Sequence, residues 1–250
     1  MIKSCLRVVF FCSFLVLLSS YVSSGFQKER SLIANDLSFQ LLKNQVFQEL
    51  EGSWCSREKA SLLMDCVFLT RPKVCVEVGV FTGSSLLPVA VTLKHLKRGK
   101  VFAVDAWDNE EAVRYSKKED ANKMWWSSID MKAALRAFSQ SIDAWKLNSY
   151  VRIIAKPSVD AVFFVPSIDF IHIDGNPSKE GFLQDLLDYL PKVKVGGYVL
   201  FSNLLVSEGS TLPKVEALFS ISDFFASYEL IEEIEGGNVC LLKKSSRDKG

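Results

Sequence analysis

Glu77, Gly79 and Gly83 lie in the stretch VCVEVGVFTGSS, residues 74–85, and their spacing suits binding of a small polar ligand. The β-branched positions Val74, Val76 and Val78 predict a buried strand, and Glu77 brings an acid to its end. A glycine turn follows, and a helical pattern starts at Ser84. In an α/β sheet, ligands sit outside the carboxyl ends of the strands, at turns of this kind. Glycine lets backbone approach a ligand, and a fresh helix start offers free N–H groups. The turn is not a dinucleotide fingerprint, because Phe81 stands where G-x-G needs its second glycine. It is not a P-loop either, since no Gly-Lys-Ser/Thr follows.

Two further groups could carry chemistry. Asp105 closes the next β-rich run, VFAVDAW, and an acid there can accept hydrogen bonds from ribose hydroxyls. Asp174 closes IDFIHID, with Lys179 and Glu180 at the helix start beyond it and Asn203 after YVLFS. His172 precedes Asp174 on a buried strand and reads as a hydrogen-bonded core residue.

The elements that must position these residues alternate. Strands are expected at 73–78, 101–105, 151–155, 168–174 and 198–202, with helices between them. Two last strands, 228–234 and 238–243, are joined by Glu235-Gly236-Gly237 and read as an antiparallel hairpin. The fold class is therefore α/β: a Rossmann-like, seven-stranded mixed sheet with helices on both faces. Ahead of it, one helix is expected over 28–51 and a second from Ser56 to Leu69. A longer insert, 109–148, holds Trp125 and Trp126, read either as helix-packing residues or as an aromatic wall for an acceptor.

The bulk of the chain sets bounds. It has 250 residues, enough for one such domain with extensions, and it is 48% hydrophobic with 18 Phe. A net charge of +1 gives no electrostatic case for nucleic acid. Lys3 and Arg7 precede an apolar run, Val8 to Ser19, followed by Ser23, Ser24 and Gly25. Residues 1–24 thus read as a signal peptide or a membrane anchor, so the protein is expected to be exported, or held at a membrane through 8–22. It would be cytoplasmic if that segment is unused. Residues 25–54 are expected to form a helical extension, 55–243 the α/β domain and 244–250 a polar tail. Beyond that segment stand Cys55, Cys66, Cys75 and Cys240, whose pairing is open.

E-x-G-x-x-x-G resembles motif I of class I S-adenosylmethionine (SAM) dependent methyltransferases. EVGVFTGSSLL is similar to the small cation-dependent O-methyltransferases that act on catechols and caffeoyl-CoA. Residues 170–203 resemble a bacterial subset with an HIDGNHS-type motif after strand four, a proline, then GGY and an acidic pair. Asp174, Gly175, Asn176, Ser178, Pro191, Gly196, Gly197 and Tyr198 match it. The resemblance implies an O-methyltransferase for a small hydroxylated acceptor. It places SAM on Glu77, Gly79, Phe81, Thr82, Gly83, Ser84, Ser85, Asp105, Trp107 and Ser158. Asp174, Lys179 and Glu180 become the candidate catalytic residues. It also implies Mg²⁺ on Asp174 and Asn203, and a homodimer.

Two departures weaken the catalytic part. Pro177 stands where the family has His or Lys, and Ser202-Asn203 stands where it has the acidic pair. A hard cation favours carboxylate oxygen, so Mg²⁺ is expected to bind weakly or not at all. The alternative function is a methyltransferase-fold binding protein, secreted or anchored, that has lost turnover. A nucleic-acid methyltransferase is disfavoured, because N/D-P-P-Y/F is missing after strand four.

Overall fold

The computed structural model describes residues 24–115, 121–207 and 211–246. The apolar run at 8–22 lies outside them. Among the described residues no helix is long and apolar enough to cross a membrane.

The sheet has seven strands in the order β3-β2-β1-β4-β5-β7-β6. These are β1 (Val74–Val78), β2 (Lys100–Asp105), β3 (Val151–Ala155), β4 (Ile168–Ile173), β5 (Val193–Phe201), β6 (Tyr228–Ile234) and β7 (Val239–Lys244). β1 to β5 pair in parallel, and β7 runs antiparallel to both β5 and β6. The chain leaves β1 toward one edge, then returns to β4 on its other side. That reversal opens a crevice at the carboxyl ends of β1 and β4, where ligands bind in sheets of this kind.

Strand alternation sorts side chains between the two faces. Val76, Val78, Ile171, Ile173, Val199 and Phe201 join one core cluster with Phe182, Leu186 and Leu218. Cys75, Val101, Ala103, Phe170 and Leu200 join the other, with Leu62, Leu63, Leu86 and Phe138. β1 and β4 are buried nearly end to end, as strands covered on both faces must be.

The first cluster is covered by α9 (Lys179–Tyr189) and α10 (Pro213–Ser220). The other lies under α3 (Arg57–Thr70), α4 (Leu86–His95) and α7 (Met131–Ala144). Ser56 caps α3, its hydroxyl accepting from the Lys59 N–H at 3.0 Å. Asp130 caps α7 in the same way.

The N-terminal extension is two helices, α1 (Ser24–Ile33) and α2 (Leu37–Glu49), where the apolar spacing predicted one. Asp36 is the reason. Its extended backbone ends the run, and its carboxylate caps α2 by accepting from the Phe39 N–H at 3.0 Å. Asp65 on α3 ties both helices down, meeting Arg30 at 2.9 Å and Lys43 at 2.7 Å. Arg30 also pairs with Glu232 on β6, across 202 residues of chain. β5 begins five residues earlier than expected, at Val193, because Gly196 and Gly197 sit in an irregular stretch between two paired segments. The helix before β6 stops at Ser220 and is followed by a single turn, Phe224–Ser227.

The four cysteines are free and buried. Burial pushes the Cys55 and Cys240 thiols up to about 12, so neither forms a thiolate at neutral pH.

Candidate functional site

Two backbone hydrogen bonds fuse the strand ends into one floor. The Gly79 N–H donates to the Val104 carbonyl and the Asp174 N–H to the Val78 carbonyl, both at 2.9 Å. Gly79 has φ +84°, and a Cβ there would lie 2.6 Å from the Asp174 carbonyl oxygen. Only glycine fits, because the turn after β1 is pressed onto the turn after β4.

Asp105 holds that turn in shape. Its Oδ2 accepts from the Val80 and Phe81 N–H groups at 2.9 Å each, and its Oδ1 from the Trp107 N–H at 2.8 Å. A carboxylate offers about four acceptor sites, so one remains for a ligand hydroxyl. Phe81 and Trp107 both adopt left-handed backbone (φ +51° and +46°), which costs a non-glycine residue roughly 1–3 kcal/mol. The Trp107 indole N–H closes the arrangement, donating to the Phe81 carbonyl at 2.8 Å.

A cavity of about 580 Å³ opens on this floor, within the range of small-molecule sites. It brings together Gly79, Phe81, Ser84, Ser85, Asp105 and Ser158 at one end and Asp174 and Asn203 at the other. Glu77 lies just beneath, buried, accepting from the Ser85 hydroxyl at 2.6 Å. Its other oxygen faces His172 Nδ1 at 3.4 Å, and His172 Nε2 meets the Ser202 hydroxyl at 2.8 Å. Strand parity sets this buried polar file across β1, β4 and the end of β5.

The remaining expected residues stand elsewhere. Thr82 is exposed outside the cavity, and Gly83 is buried against Phe138, which its Cβ would strike at 2.3 Å. Trp107 is a core residue stacked on Phe138 at 5.8 Å, away from the cavity wall. Lys179 turns aside to Glu216 at 3.5 Å, and Glu180 is exposed, so neither lines the cavity. Trp126 does line it, with Trp54 and Phe81. Trp54 stacks on Phe81 at 5.1 Å, and Trp125 meets Trp126 edge-on at 4.7 Å. The insert and the extension thus build an aromatic wall together.

Two lysines are the residues that motif reading missed. Lys59, in the first turn of α3, places Nζ 3.5 Å from Asp174 Oδ2. Lys214, in the first turn of α10, places Nζ 3.8 Å from Asp174 Oδ1 and donates to the Ser202 carbonyl at 2.9 Å. The Asn203 amide donates to Asp174 Oδ1 at 2.7 Å. Burial alone would raise the Asp174 carboxyl, but Lys214, His172 and Lys59 bring it below its ordinary value. Burial lowers Lys214 more than Asp174 and Asp185 restore it, whereas Asp174 lifts Lys59 above normal despite its burial. The sequence signal was a basic residue at a helix N-terminus, where the dipole disfavours it.

Mg²⁺ does not fit these donors. Mg²⁺ is ordinarily held by one or two carboxylates with waters completing its shell, and the one carboxylate here, Asp174, already accepts from the Asn203 amide. The Asp174 carboxylate already faces two ammoniums, and each would repel a divalent ion by roughly 8 kcal/mol at about 4 Å and an effective dielectric constant of about 20. SAM does fit: one acceptor site of Asp105, the Gly79 turn and a cavity of suitable size are contiguous.

Asp185, beneath Ser158, adds a pH dependence. It accepts from the Ser158 hydroxyl at 2.6 Å, and burial raises its carboxyl to about 7. The folded state therefore binds that proton more tightly than the unfolded chain. The resulting stability is full below pH ~4 and is lost as pH rises through ~7, by up to about 4 kcal/mol. Denaturant titrations of Asp185→Asn should show this slope flattened, with the variant more stable than the parent at pH 8.

Residues 76–204 match the family described as a methyltransferase domain. No curated protein sequence matches the chain. Among solved structures, the O-methyltransferase NovP is similar with a TM-score of 0.61 at 20% identity, over 76% of this chain and 81% of that one. The O-methyltransferase TomG from Streptomyces achromogenes, in complex with SAM, gives 0.56 at 12% identity, over 88% and 96%. The O-methyltransferase from Bacillus cereus, with S-adenosylhomocysteine (SAH), gives 0.53 at 14%, over 87% and 97%. At these identities the likeness speaks for the fold.

Proposed function

This chain belongs to the methyltransferase-domain family, and on that premise we propose that it transfers a methyl group from SAM to an oxygen of a small acceptor. One observation carries the reading: a single cavity joins the Gly79 turn and Asp105 to Asp174. SAM supplies an electrophilic methyl group, so positioning an acceptor beside it contributes much of the rate. Asp105 would take a ribose hydroxyl on its remaining acceptor site, and Ser158 would face the adenine. Glu77 would keep the turn rigid through Ser85. Trp54 and Trp126 would wall the acceptor and exclude water.

The alternative is a domain that binds SAM without turnover. Its support is that Pro177 lines the cavity with no titratable group, while the Ser202 hydroxyl is committed to His172 in the core. Calorimetric titration of the purified protein with SAM and SAH tests both. Micromolar binding is expected. A folded protein that binds neither would overturn the methyltransferase reading and its non-catalytic variant together. Binding without methyl transfer to any acceptor in a broad panel of phenols, acids and alcohols would favour the second.

A further inference from the structure

We propose that the ammonium groups of Lys59 and Lys214 take the place of a divalent cation and hold the acceptor oxygen as an anion; this rests on the methyltransferase reading above. Both lysines sit where the fold alone would not put them. Each is in the first turn of a helix, against the dipole, and each is buried, Lys59 at 5% and Lys214 at 2% exposure. Buried lysines are rare unless paired, and here two share the one carboxylate of Asp174. Asp185, the next acid near Lys214, is itself held toward its neutral form by burial. Glu77 also acts on Lys59, but its oxygens face the Ser85 hydroxyl and His172, so among the described residues Asp174 is the carboxylate in direct contact with both ammoniums and the two positive charges outnumber it there.

Both lysines line the same cavity as Asn203. They approach Asp174 from opposite oxygens, so an entering oxyanion can share both ammoniums without displacing the carboxylate. A carboxylate enters already ionised, and a phenol that is still protonated loses its proton to solvent on binding. In the transfer, an oxygen lone pair forms the new bond to the methyl carbon. The carbon–sulfur bond breaks, its electron pair stays on sulfur, and neutral SAH leaves. The oxyanion and sulfonium charges disappear together, and no metal is needed. The acceptor class is an oxyanion at neutral pH, which a carboxylate and an acidic phenol can both supply.

The test uses the full chain with and without SAH, titrated with Mn²⁺, with 4-nitrophenol and with benzoate. No saturable Mn²⁺ binding is expected at millimolar concentrations. One of the two anions should bind, and which one distinguishes carboxylate from phenolate. Bound nitrophenol would keep its phenolate absorbance at a pH where the free compound is protonated. Lys59→Met and Lys214→Met should each weaken anion binding at least ~10-fold while leaving SAH affinity within about threefold. Saturable Mn²⁺ binding that Asp174→Asn abolishes would overturn the proposal. So would failure of both anions to bind, or lysine variants that bind them as well as the parent. If a lysine variant does not fold, the parent protein's Mn²⁺ and anion titrations still decide. Loss of SAH binding alone, with those titrations as expected, would strike the methyl donor and leave the oxyanion site standing.

Discussion

Asp174→Ala should lower the free energy of unfolding by about 3–5 kcal/mol, because it strands two buried ammoniums without their counter-charge. For a chain of this size that corresponds to a fall of roughly 10 °C in melting temperature. The bond from Asn203 and the 3.5 and 3.8 Å contacts to Lys59 and Lys214 all end on this one carboxylate. Combining Asp174→Ala with Lys214→Met should recover part of the loss, since one stranded charge goes with it. Differential scanning calorimetry of the parent, the single variant and the double variant checks this. A single variant that melts with the parent would mean that the lysines find another counter-charge.

Asp105→Ala should weaken SAH binding at least ~100-fold, the equivalent of about 3 kcal/mol. The carboxylate accepts from the Val80, Phe81 and Trp107 N–H groups, and bonds to a charged acceptor are worth roughly 1.5–3 kcal/mol each. Without it, the Trp107 indole bond to the Phe81 carbonyl is left alone against the left-handed strain at Phe81 and Trp107, and the turn is expected to relax. Asp105→Asn keeps one acceptor oxygen and should lose less. SAH calorimetry on the two variants decides: equal losses would mean that charge, and not turn geometry, carries the effect.

Much of the frame was legible in residue order. β-branched runs ending in acids place β1, β2 and β4, and the glycine pair before β7 marks the hairpin. Periodicity reads such signals well because burial on two faces imposes them locally. The Gly79 end of the cavity was legible for the same reason, since Gly79, Asp105 and Ser158 each follow a strand. Gly83 and Trp107 stand outside the cavity for internal reasons: one yields room to Phe138, the other braces Phe81. The surroundings of Asp174 were not legible in its own motif. Lys179 and Glu180 lie near Asp174 in sequence but point elsewhere, while Lys59 arrives from 115 residues away. Long-range convergence leaves no periodic trace.

The pair between Arg30 and Glu232 has a consequence for synthesis. Its halves leave the ribosome 202 residues apart, which at ordinary elongation rates is roughly 10–40 s. For that interval the nascent α1 helix has a docking partner in Asp65 but lacks the strand edge that completes its seat. The extension's seat is then completed late, and its anchorage reports that β6 has been delivered and folded. A chain cut before β6 would leave this first helix loosely attached, and protease attack there would mark incomplete molecules.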